Sequence, residues 1–479
     1  AQAEQPLRGQ RVLVLGLGAS GLAMARWCAR CGAQVTVADT RAAPPQLAAL
    51  RAELPQARFI DGAFNAALVQ HQAWDAVYRS PGLSPAALAP VLEAAHACGA
   101  SLGGELDLYS QALHALHTQH GYAPVVLAVT GTNGKTTVTA LTGQLLQHAG
   151  RSVAVAGNIG PTLLDTLAAR IAAQNLPEVW VLELSSFQLD GVHGFEPTAA
   201  VVLNLTQDHL DWHGDMAAYG AAKAHIFGQH ALMVLNREDP AVMQMLPAPA
   251  RVKLQKPQSR THVTFGGTLP QRPGDFGIET VNGMVWLPLH LQRLMPADAL
   301  RIRGRHNACN ALAALALAQA AGCALGAMLH GLRAYRGEPH RVESVGIVGG
   351  VEYFDDSKGT NVGATVAALA GLGLERRLVL ILGGDGKGQD FAPLATPMAR
   401  HVRAAVLIGR DAAQLGAALQ DTGVPLLRAA SMEDAVQQAA AQAQSGDAVL
   451  MSPACASLDM FQDYVHRAQV FVAAVRALA

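Results

Sequence analysis

The stretch VVLAVTGTNGKTTV, residues 125–138, constrains this chain more than any other. An apolar, β-branched run ends in a Gly-rich turn. Lys135, Thr136 and Thr137 then open an apolar-periodic segment running through Leu141, Leu145 and Leu146. Strand, glycine turn and helix start are the setting in which a phosphate-binding loop works. Backbone N–H groups converge there on phosphate oxygens, and the helix N-terminus adds its positive end. Lys135 then reaches the β- and γ-phosphates, and the Thr136 hydroxyl completes a Mg2+ coordination sphere. The loop is shorter than the usual pattern, because Val129 stands where a glycine five places before Gly134 is expected. What remains is Gly131, Thr132, Asn133 and Gly134.

At 479 residues the chain exceeds one hydrophobic core and suggests several domains. A hydrophobic content of 51% against 15% charged excludes a disordered chain. The net charge of −1, with no long basic run, argues against nucleic acid or an anionic membrane as partner. No apolar segment is long enough to span a membrane, and the densest, residues 311–318, reads as a core helix. The opening AQAEQPLRGQ is polar, unlike a signal peptide, and six cysteines in so long a chain make no disulfide framework. A cytoplasmic location is expected.

Residues 11–15 read as a strand, followed by Gly16, Gly18 and Gly21 in G-x-G-x-x-G spacing and then a helix. A second strand, residues 34–38, ends in Asp39, so this first segment carries a dinucleotide-type fingerprint. Thr40 and Arg41 follow directly, and an arginine there suits a phosphate better than a bare ribose hydroxyl. Ser80, Pro81 and Gly82 form another loop on the same rim. Residues 111–121 are His/Gln-rich and less periodic, which places the first linker there. Cys28 and Cys31 have no second pair and read as packed helix residues, and His114, His117 and His120 read as solvated.

Three stretches after the phosphate loop carry chemistry. Gly157, Asn158 and Gly160 follow an apolar strand. Glu183 lies near the C-terminal end of a buried strand, where a parallel sheet brings it to the rim of the phosphate loop and within reach of Mg2+. His209 and His213 have the spacing of a metal pair, yet no Glu lies beside His209, which leaves one functional histidine near the nucleotide. By its spacing Lys223 is a snorkelling surface lysine. Residues 253–275 look like a surface loop, and Asn307 or Asn310 caps the Ala/Leu helix or faces a base. A third segment begins near Tyr335 and has strands ending in DDSKGTN (355–361), GGDGKG (383–388) and SPACASLD (452–459). GGDGKG lacks the Ser/Thr of a second nucleotide loop. Strands alternating with helices make all three segments α/β.

Taken together, GTNGKTT (131–137), GNIG (157–160), LELSSFQL (182–189), NLTQDHLD (204–211), AAK (221–223), GRHNACN (304–310), PHRVE (339–343), DDSKGTN, GGDGKGQDF (383–391) and SPACASLD resemble the Mur ligases, in the family's order. These are ATP-dependent amide-forming enzymes of bacterial cell-wall precursor synthesis. DDSKGTN and SPACAS are similar to the branch that adds D-glutamate to UDP-N-acetylmuramoyl-L-alanine, and the DNPR of the diaminopimelate- or lysine-adding branch is absent.

The resemblance implies a Rossmann-like domain for the UDP-substrate (residues 1–115), a central P-loop ATPase-type domain (116–337) and a Rossmann-like C-terminal domain (338–479). It implies catalytic roles for Lys135, Glu183, His209 and Lys223, and ATP bound by residues 131–137 with Asn310, Arg341 and Asp356. The UDP-substrate falls to Ser20, Asp39, Thr40, Arg41, Ser80, Gly82, Asn158 and His209, and D-glutamate to Thr360, Lys387, Ser457 and Leu458. Two Mg2+ ions, replaceable by Mn2+, are implied on Thr136, Glu183, His209 and a carbamylated Lys223, in a monomer. The competing readings are another amide ligase of the superfamily, such as a folate polyglutamate ligase, a non-catalytic UDP-sugar binder, and an NAD-dependent oxidoreductase.

Overall fold

The computed structural model describes residues 6–70, 72–158, 160–249, 259–373 and 376–478. Its strands gather into three parallel or mostly parallel sheets, each covered by helices, and one small antiparallel sheet. The first sheet runs Arg58–Asp61, Gln34–Asp39, Arg11–Leu15, Ala76–Arg79, Ser101–Gly103, all parallel. Chain order reverses beside Arg11–Leu15, so the glycine turn and the Ser80 loop flank one crevice, the position such sheets use for ligands.

The second sheet runs His262–Phe265, Leu232–Asn236, Ala199–Val202, Val125–Thr130, Val179–Glu183, Val153–Gly157, again all parallel. Alternation decides its two faces. Leu127 and Val129 pack under the helices Lys135–His148 and Arg305–Ala320, while Val126 and Ala128 face the opposite core. That opposite core is continuous with the core of the first sheet through Leu106, Leu108 and Tyr109, the last set edge-on to Trp180 at 5.5 Å.

The linker expected at residues 111–121 is instead the second half of the helix Glu105–His120, ended by Gly121 at φ 66°. Its periodicity was masked because the outer face is all His, Gln and Thr, while Leu106, Tyr109 and Ala112 bury the inner one. The boundary at residue 115 therefore falls inside a helix packed against both sheets. His114, His117 and His120 are exposed, and Cys28 and Cys31 are buried and free, as read from the sequence. The loop expected over 253–275 is corrected too. Residues 253–258 lie outside the described residues, but His262–Phe265 pairs in parallel with Leu232–Asn236 as an edge strand. The short strands Glu279–Val281, Met284–Leu289 and Gln292–Pro296 that follow were not foreseen.

The third sheet runs Glu343–Val348, Val351–Asp355, Ala448–Met451, Leu378–Gly383, Val402–Ile408, Leu426–Arg428, with only the first pair antiparallel. It has its own cores. It meets the central domain through polar groups, described next, and through the helix Val362–Leu372, whose Gly371 lies against Gly304 and His306.

Candidate active site

The phosphate loop leaves Val125–Thr130 and enters the helix Lys135–His148 through Gly134 at φ 85°. A Cβ on Gly134 would stand 2.6 Å from Asn310 Oδ1, so only glycine lets the helix Arg305–Ala320 approach the loop. Asn204, at the end of the neighbouring strand, shapes the turn from the other side. Its Oδ1 accepts from Asn133 N at 2.8 Å and its Nδ2 donates to Asn133 O at 3.0 Å. Thr132 Oγ1 lies 3.1 Å from the Tyr219 hydroxyl.

Two lysines converge on this loop. Lys135 Nζ donates to Gly131 O and Thr132 O, each at 2.9 Å. Lys223, 1% exposed, donates to Gly131 O at 3.0 Å and Thr130 Oγ1 at 3.2 Å. A snorkelling surface lysine is thereby excluded. Burial drives the Lys223 pKa well below the usual lysine value, with Lys135 adding to the fall, and burial lowers that of Lys135 as well.

Glu183 ends its strand in register with Val129 and Gly157. Its Oε1 accepts from Asn158 Nδ2 at 2.9 Å, while its buried Oε2 has no partner. His209 sits at φ 54° before a one-turn helix, with its ring 4.7 Å from that of Phe187. Burial lowers its pKa against the pull of Asp208, and the positive fields of Lys387, Lys135 and Lys223 lower it further. The imidazole is held toward its neutral, ligating form. His213 instead bonds Ser186 Oγ at 2.9 Å.

The third domain reaches the same rim. Arg341 Nη2 donates to Thr136 Oγ1 at 3.0 Å, and Asn133 and Asn361 exchange amide hydrogen bonds at 3.1 and 3.3 Å. Beneath them is a cavity of about 210 Å³ lined by Phe265, His306, Asn307, Asn310, Arg341 and Asp356 among others. Burial pushes the Asp356 carboxyl up to about 7, and its Oδ2 accepts from Ser452 Oγ at 2.7 Å.

Family models match three successive parts of the chain: the Mur ligase MurD-like N-terminal domain at 10–104, the Mur ligase middle domain at 129–318, and the Mur ligase glutamate ligase domain at 340–455. The chain belongs to the Mur ligase family. The UDP-N-acetylmuramoylalanine--D-glutamate ligase of Albidiferax ferrireducens is 70% identical, the match covering 99% of this chain and 97% of that one. The enzyme of the same name from Ralstonia nicotianae is 55% identical over 98% and 97%. Among solved structures, the MurF ligase of Thermotoga maritima in complex with ADP matches with a TM-score of 0.60 and 16% identity, covering 100% of this chain and 98% of that one. The UDP-N-acetylmuramate-alanine ligase MurC of the same organism gives 0.57 and 18%, covering 98% and 100%. At those identities the likeness shows the fold alone.

In this Mur ligase the first-domain residues divide in two. Thr40 and Gly82 are exposed on the crevice, and the Arg41 side chain is 54% exposed. Asp39 is 2% exposed, and both its oxygens are engaged by Leu17 N and Arg41, which hold its carboxyl down to about 2. It shapes the crevice and presents Arg41. Ser80 Oγ donates to Gly16 O at 3.0 Å, so this hydroxyl also braces the turn, and Ser20 is half-buried in the first turn of the helix Ala19–Arg30.

Thr360, Lys387 and the pair Ser457 and Leu458 lie on loops after three adjacent strands of the third sheet. Lys387, at φ 51°, is close enough to act on His209. Ser457 is buried, whereas the Leu458 side chain is 72% exposed. Sequence reasoning missed Tyr219, Phe265, His306, Asn361 and Arg467 as parts of this region. Asn361 stood in a motif, but nothing in the sequence marked its partner.

Proposed function

We propose that this Mur ligase joins D-glutamate to the alanine carboxylate of UDP-N-acetylmuramoyl-L-alanine, driven by ATP, in cytoplasmic peptidoglycan precursor synthesis. The observation that carries this reading is the meeting of Lys135, Glu183, His209 and Lys223 at one rim, with the Lys387 loop facing them. The names of the relatives agree with it.

The alanine carboxylate attacks the γ-phosphorus, forming the acyl phosphate as the bond to ADP breaks. The D-glutamate amine then attacks the acyl carbon, loses a proton, and phosphate leaves. Charge crowding limits the first step, and Lys135 and Arg341 supply cations where negative charge gathers. Asn310, Arg341 and Asp356 line the nucleotide cavity, and Arg41 and Thr40 with the Ser80–Gly82 loop take the UDP end. Asn158 holds Glu183 in place. The third domain meets the central one through amides, a guanidinium and the helix Val362–Leu372 lying against His306 and Gly304, with no shared apolar cluster among the described residues, which suits closure over bound substrates and exclusion of water.

The unpartnered Glu183 oxygen, the Thr136 hydroxyl and the His209 imidazole would hold Mg2+, and a carbamate formed on Lys223 would add an oxygen ligand for a second ion. When bound, Mg2+ neutralises phosphate and carboxylate charge. A buried amine with a depressed pKa is the form that adds carbon dioxide, giving a carbamate and a proton. That converts Lys223 from a buried neutral amine into the hard, anionic oxygen donor Mg2+ prefers.

Phosphate release from ATP, measured with the UDP-substrate plus each candidate amino acid in turn, tests the reading. Release that requires both the UDP-substrate and D-glutamate is expected. Release supported by a folate, or nicotinamide binding at the first crevice, would replace it.

A further inference from the structure

Arg467 lies in the helix Tyr464–Arg476, outside every motif of the site, and is 0% exposed. Its three hydrogen bonds all go to neutral oxygens: Nε to Ser357 Oγ at 3.0 Å, Nη2 to Ser357 O at 2.7 Å, and Nη1 to Cys455 O at 3.1 Å. Ser357 Oγ in turn donates to Tyr464 O at 2.7 Å, one turn earlier on the same helix. Burying a guanidinium without a bonded carboxylate is costly, and an apolar side chain would pack a helix on a sheet more cheaply. Asp459, Asp355 and Asp356 act on the charge only at longer range, and what the rigid fork itself contributes is to hold two backbone segments at a fixed spacing.

Those segments are the loops after Val351–Asp355 and Ala448–Met451. Thr360 is three residues beyond Ser357, and Ser457 two beyond Cys455. The third loop is tied to the second by the backbone, with Ala456 N donating to Asp385 O at 2.8 Å. The first loop docks on the second through Ala454 N to Gly359 O at 3.0 Å, Asp356 N to Met451 O at 2.9 Å and Ser452 Oγ to Asp356 Oδ2 at 2.7 Å, and the Arg467 fork ties the same two loops from the helix side.

We propose that Arg467 is a positioning residue for the D-glutamate subsite, setting the spacing of the Thr360 and Ser457 hydroxyls by clamping Ser357 to Cys455. This rests on the placement of D-glutamate among Thr360, Lys387 and Ser457. Misplacement by about 1 Å is enough to cost a large factor in a positioned reaction. The nucleotide cavity meets this loop at Asp356 and Gly359, and Asp356 is held separately by Ser452 Oγ at 2.7 Å, so the effect falls chiefly on D-glutamate.

Steady-state kinetics of Arg467→Lys, Ser357→Ala and Lys387→Ala, varying each of the three substrates, tests it. Lysine keeps the charge but cannot span three acceptors, so the KM for D-glutamate should rise about tenfold, with those for ATP and UDP-substrate within about twofold. Ser357→Ala removes one arm of the fork and should raise the same KM by about threefold. Should the lysine variant fail to fold, the alanine variant decides. An unchanged D-glutamate KM, or all three KM values moving together with a lowered melting midpoint, overturns the proposal. If Lys387→Ala leaves the D-glutamate KM unmoved, the subsite itself lies elsewhere and the proposal falls with it. A shift in Lys387→Ala without one in the other two variants overturns only the role of Arg467.

Discussion

The Thr136 hydroxyl accepts a hydrogen bond from Arg341 Nη2 at 3.0 Å, between residues 205 apart in sequence. The oxygen suited to a phosphate-bound cation is thus already addressed by a third-domain cation, and the two domains register on one atom. Arg341→Ala should lower kcat by about two to three orders of magnitude and raise the KM for ATP, as loss of a charge-stabilising group does. The KM for UDP-substrate should hardly change. Steady-state kinetics checks this, and a kcat near that of the parent would reduce Arg341 to a strap between domains.

Lys135→Ala should lose several orders of magnitude in rate while UDP-substrate binding, followed calorimetrically, stays largely intact. Among the described residues the lysine bonds only its own loop, at Gly131 O and Thr132 O, so its removal leaves the first-domain crevice untouched. Equal loss of turnover and of UDP-substrate binding would make the loop structural.

Lys223→Ala should be inactive and regain part of its turnover with small carboxylates, which refill the gap with an anionic oxygen. Assay with and without acetate or formate measures this. Full activity in the unsupplemented variant would remove the carbamate from the mechanism.

Glu105 gives the pH prediction. It is 3% exposed and accepts from Leu164 N at 3.1 Å, so it joins the first domain to the second. Burial raises its carboxyl from 4.5 to about 7. A raised acid keeps in the fold a proton that the unfolded chain has released. Its contribution is therefore full below about 4.5, declines as pH rises, and is lost above about 7, by on the order of 3 kcal/mol at most. Glu105→Gln should flatten that decline and be the more stable protein above neutrality. Urea denaturation at a series of pH values reads it directly, and parallel curves for the two proteins would refute it.

The sequence by itself determined the α/β class, most core strands and the glycine turns. These depend on neighbours in the chain: alternation, β-branched runs, and a glycine where φ must be positive or backbones must approach. It also determined the residues of the phosphate loop, Glu183 and His209, because strand ends in a parallel sheet share one rim. The tertiary structure alone decided the rest. Lys223 reads as a surface lysine until the sheet encloses it. Asp39 reads as a ligand, and only the fold shows that its oxygens also hold Arg41 and Leu17 N. The helix through 111–121 and the edge strand His262–Phe265 are stabilised by cores contributed by distant segments, which outweigh weak local propensity. Arg341 on Thr136, Asn361 on Asn133 and Arg467 beneath two loops are pairings across roughly a dozen to more than two hundred residues. No local pattern encodes such a pairing, because its partner is chosen by how the domains pack.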